Sequence, residues 1–83
     1  MIIDYIAEQY PDLLKADGFD EAVIGIAHRI GLEVICYDLH KVIEILMTRD
    51  GMDEEEAWEY YQFNIAGAWV GESTPVFIER MEL

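Results

Sequence analysis

The sequence predicts a small α+β domain with a three-stranded, mainly antiparallel sheet packed by helices. Three observations carry that expectation. Residues 39–49 and 53–68 are helical runs with legible starts and stops. Residues 22–38 are rich in strand formers and are broken by Gly31. With 83 residues, 53% of them hydrophobic, there is material for one domain and one thin core.

The elements follow in order. Ile2, Ile3, Ile6 and Tyr10 recur at helical spacing, and Pro11 stops that helix, because the residue before proline avoids the α region. Residues 12–20 form a connection, with room for one helical turn at 12–15 and a turn signal at Asp17-Gly18. Residues 22–38 read as a β-hairpin turning near Ile30-Gly31. A helix over 21–30 is the competing reading, and Gly25 at its middle weakens it. Leu39, Val42, Ile43, Leu46 and Met47 form an amphipathic stripe. Asp38 suits its N-cap, Arg49 its last turn and Gly51 its left-handed close. Asp53 then caps a new helix, with Glu56 placed for a capping box. Trp58, Tyr61, Ile65 and Trp69 mark the core stripe of that helix, widened by Tyr60 and Phe63. Gly71, Ser73 and Pro75 end it before a last strand at 76–79. The expected order is α-β-β-α-α-β, with the helices on one face of the sheet.

Charge bounds the function. The net charge is −13, from 18 acidic and five basic side chains. After Asp50, eight acids face Arg80 alone. Direct binding to nucleic acid or to an anionic membrane is not expected, since both need basic patches. No apolar run approaches the roughly 20 residues of a membrane span. The acidic N-terminal stretch argues against a secretion signal, and the single Cys36 fits a reducing cytoplasm.

The run EILMTRDGMDEEEAWEYYQFNIAGAWVGESTPVF, residues 44–77, is preceded by DGFDEAVIG at 17–25 and by Tyr37-Asp38. Together these pieces resemble a family of small bacteriophage and other viral proteins that carry a similar EILM-RDGM-EEA-FN-GA-VGE-TPVF pattern. The resemblance covers most of the chain past Asp17. It implies a viral origin and a role inside the infected cell, and it brings no catalytic residue with it.

Among candidate sites, an acidic face formed by Asp53, Glu54, Glu55, Glu59 and Glu72, with Trp58 and Trp69 as aromatic anchors, suits a host protein with a basic surface. Asn64, in mid-helix, suggests either a structural clamp on the 71–75 turn or, with Tyr37, Asp38 and Thr74, the polar edge of a nucleotide-type ligand site. Ala66, Gly67, Ala68 and Gly71 permit close backbone approach, within the fold or at an interface. Cys36, Asp38, His40 and His28 are metal-ligand types, but the spacing favours a core cysteine and ordinary histidines. The acids at 50–56 lack calcium-loop spacing, and helix capping accounts for most of them. No phosphate loop or nucleophile–base pair appears. The sequence therefore predicts a non-enzymatic interaction protein without cofactor or metal: a phage-encoded inhibitor of a host defence or nucleic-acid-handling protein. A small-ligand module and a structural homo-oligomer are the alternatives, and a thin core with ten aromatics leads us to expect self-association.

Overall fold

A computed structural model describes residues 1–68 and 71–81. The chain runs α1 (Ile2–Gln9), a 3₁₀ turn (Asp20–Ala22), β1 (Val23–Arg29), β2 (Leu32–Asp38), α2 (Leu39–Asp50), α3 (Glu54–Tyr60), a π-helical segment (Tyr61–Ile65) and β3 (Val76–Ile78). The α+β class and the element order are those expected. The 12–15 turn forms no helix, and the hairpin, not the 21–30 helix, is present.

The hairpin is pinned at Gly31, whose φ of +73° closes the turn. Its register pairs Arg29 with Leu32 and Ile26 with Ile35, and slips by one residue between Val23 and Gly25. That bulge lets both Val23 and Ile26 face the core. β3 pairs with β2 through Cys36–Val76, Tyr37–Phe77 and Asp38–Ile78, and it does so in parallel. The sheet is thus mixed, in the order β1-β2-β3, because α2 and α3 lie between β2 and β3 and carry the chain back to its starting end.

α2 starts where Asp38 accepts a hydrogen bond from the Lys41 N–H at 3.3 Å and ends at left-handed Gly51. α3 opens with a reciprocal capping box: the Glu56 N–H donates to Asp53 Oδ1 at 2.8 Å, and the Asp53 N–H donates to Glu56 Oε1 at 3.2 Å. One cluster unites Ile3 and Ile6 of α1, Ile35 and Tyr37 of β2, Val42, Ile43 and Leu46 of α2, and Ala57 of α3. Every buried helical side chain belongs to it. The helices therefore pack on the face of the sheet that carries Ile35 and Tyr37. Val34 and Cys36 point to the other face.

Candidate functional site

α3 does not continue as an α-helix to residue 68. At Tyr61 it widens into a π-helical segment, closed by the Ala66 N–H donating to the Tyr61 carbonyl at 2.8 Å. Such insertions recur at functional sites. Tyr61 and Ile65 keep their places against the core, and Trp58 joins them, half-buried, with edge contacts to His40 and Tyr61 at 6.2 and 6.3 Å. Phe63 lies between Tyr61 and Ile65 in sequence, and so on the opposite side. It is 80% exposed, and Tyr60 is 41% exposed. The expectation that these two widen the core stripe is corrected: both face outward.

Two rows of side chains run along that outer side at helical spacing, Glu55–Glu59–Phe63 and Glu56–Tyr60–Asn64. Glu56, Glu59, Tyr60, Phe63 and Asn64 line one shallow depression with Met52 at its end. An aromatic pair thus sits beside the carboxylates of Glu56 and Glu59. No cation answers those carboxylates: the ion pairs among the described residues involve none of Glu55, Glu56 and Glu59.

The other expected partner-binding residues are placed as follows. Asp53 is exposed and committed to the capping box. Glu54 borders a second groove, between α2 and α3, with Trp58, Met47, Ile43 and Glu44. Trp58 is mainly a core residue, and so less of an anchor than expected. Glu72 is exposed in the turn that the Thr74 N–H closes on the Gly71 carbonyl at 3.2 Å. Trp69 lies outside the described residues. Among the described residues Phe63 is the most exposed aromatic, and it does not widen the core stripe. Its offset of two from Tyr61 and Ile65 was the signal that placed it outside.

The alternative ligand set is split. Asn64 and Thr74 both line a cleft of about 430 Å³ between the 14–19 connection and the π-helical segment. Tyr37 stands behind it, wholly buried, with its hydroxyl accepting a hydrogen bond from the Ala16 N–H at 2.8 Å. Asp38 is engaged elsewhere, capping α2 and meeting Arg80 at 3.5 Å. Asn64 is exposed and, among the described residues, donates to its own helix alone, at the Tyr60 carbonyl (3.3 Å); the expected clamp on the 71–75 turn is not made.

Of the metal-ligand types, Cys36 is buried and burial pushes its thiol up, although nearby Arg80 opposes this. His28 approaches Glu33 at 3.9 Å, and His40 approaches Glu79 at 3.5 Å. Among the described residues no three ligand-type side chains gather around one point. No helix there is long and apolar enough to cross a membrane. Compared with known proteins, the chain matches no family model, no curated sequence and no solved structure.

Proposed function

We propose that this chain is a non-enzymatic interaction protein, a phage-encoded modulator that docks on a basic host protein and competes with nucleic acid for its groove. The observation that carries the reading is Phe63: a large apolar ring, 80% exposed, on the same helical side as Glu55, Glu56 and Glu59. An apolar anchor beside a row of carboxylates fits a pocket edged by lysine and arginine. The aromatic supplies desolvated contact area, and the carboxylates steer encounter and mimic a phosphate row. Phe63 stands outward because it lies two residues from Tyr61 and from Ile65, which pack against the core. With its acid excess the chain does not itself bind DNA or RNA.

Affinity capture from host lysate tests this, run with the wild type, Phe63→Ala and the Glu55→Lys/Glu59→Lys double variant. The expected result is a nucleic-acid-binding protein retained by the wild type, released by salt, lost with either variant and displaced from its nucleic acid when the purified pair is mixed. Retention of the same proteins by all three forms overturns the reading.

A further inference from the structure

We infer that the cleft between the 14–19 connection and the π-helical segment is a binding site for a small aromatic monoanion, a carboxylate or its sulfonate equivalent. The cleft adjoins the docking depression, and Tyr60 and Asn64 line both. Its walls are apolar: Leu14 and Phe19 on one side, Ile65 and Ala68 on the other, with Phe77 from β3. At about 430 Å³ it falls in the range of small-molecule sites, roughly 300–1,000 Å³.

The charge pattern selects the ligand. The chain has five basic side chains against 18 acids, yet two of the five, Lys15 and Arg49, line this cleft. Lys41, Arg49 and Arg80 each hold a carboxylate, at 3.3, 3.0 and 3.5 Å. Lys15 holds none among the described residues, so its ammonium is an unanswered charge at the edge of an apolar cleft. Arg49 adds donors without adding net charge. Its Nε and Nη2 donate to Asp50, and its Nη1 donates to the Gly18 carbonyl at 2.6 Å. Two of its five N–H bonds remain for a ligand. Asn64 offers an amide on the opposite wall. One free positive charge, with Asp17 also on the rim, suits a single negative charge and opposes a di- or triphosphate.

The site is also built to hold its shape. The Arg49 guanidinium lies 5.1 Å from the Phe19 ring centroid. Gly18 has φ +89°, and a Cβ there would come within 3.0 Å of Arg49 Nη1. The backbone approaches Arg49 because residue 18 is glycine. The Ala16 N–H is tied to the Tyr37 hydroxyl. The wall just past Lys15 is thus tied at Ala16 and at Gly18 before any ligand arrives, which reduces the ordering cost of binding.

Titration of the ¹⁵N-labelled protein with 1-naphthoate, followed by amide NMR shifts, tests the proposal, with neutral 1-naphthamide as the matched control. We expect saturable shifts at Ala16, Asp17, Ile65 and Thr74, and binding of the amide weaker by about tenfold, the scale of one lost charge-assisted hydrogen bond. Lys15→Met, at an exposed position that leaves the fold intact, should weaken naphthoate by about the same factor and leave naphthamide unchanged. Equal affinity for the two probes, an unaffected Lys15→Met variant, or the absence of saturable shifts at Ala16 and Ile65 overturns it.

Discussion

Burial of Tyr37 pushes its phenol above the ordinary range; the hydrogen bond from Ala16 opposes this and the nearby Asp20 and Asp17 add to it. Between the unfolded and folded values the unfolded chain releases this proton while the native state keeps it. The native state then binds more protons, so stability falls as pH rises. The stabilisation is complete below about pH 10 and is lost above it. Denaturant melts from neutral to alkaline pH should show this loss. Tyr37→Phe should be flatter across the same window, with Tyr61 and Cys36, both also raised by burial, accounting for the remaining slope. At neutral pH the same variant strands the Ala16 N–H and should cost about 1 kcal/mol or more. An unchanged alkaline limb in Tyr37→Phe would contradict this account. Asn64 behaves differently. It is exposed and, among the described residues, bonds one turn back in its own helix alone, so Asn64→Ala should stay within about 0.5 kcal/mol of wild type in thermal or denaturant unfolding. A loss of several times that size would restore the clamp that the mid-helix amide first suggested.

At the scale of elements, α3 separates stability from recognition. Asp53 closes both arms of the capping box, so Asp53→Ala should destabilise by about 1 kcal/mol and lower the melting temperature by roughly 4–8 °C. Phe63→Ala removes an exposed ring and should leave the melting temperature nearly unchanged while abolishing partner capture; calorimetry of both variants beside the capture assay checks the contrast. Both ends of α2 and the start of α3 were legible in the sequence because caps are local: Asp38, Gly51 and the Asp53–Glu56 pair each act within one turn. The hairpin was legible because Gly31 interrupts two strand-forming runs. The parallel pairing of β3 was not, since residue periodicity records which face a side chain takes and not which way its strand runs. Nor was the π-helical segment, whose wider turn keeps Tyr61 and Ile65 inward at the four-residue offset an α-helix also allows. The cleft escaped for a third reason. Its near wall is set by contacts between residues 21 and 31 positions apart, Ala16 with Tyr37 and Gly18 with Arg49, and no short motif records them.

For the whole molecule, the sheet face away from the helices carries Ala27, Val34, Cys36, Val76 and Ile78; Val34 and Cys36 are already buried within the chain, so its exposed apolar surface lies at the edge strand. Val76 and Ile78 on the edge strand are 37% and 44% exposed. Two copies meeting through these faces would cover them, as stacked sheets do, and this is the self-association we propose. Opposing it is the charge of −13 on each copy. The two effects respond differently to salt. Apolar burial changes little, whereas repulsion between copies is screened as the Debye length shortens from about 30 Å at 0.01 M to about 8 Å at 0.15 M ionic strength. Sedimentation equilibrium should therefore find mostly the 9.6 kDa monomer at the lower ionic strength and a growing dimer fraction at the higher one. Docking on a basic partner should move the other way, because salt screens attraction between opposite charges. Val76→Lys, at a partly exposed edge position, should hold the chain monomeric at both ionic strengths without disturbing capture through Phe63. A strict monomer across micromolar concentrations at the higher ionic strength would remove self-association from the account and leave the docking face and the cleft untouched.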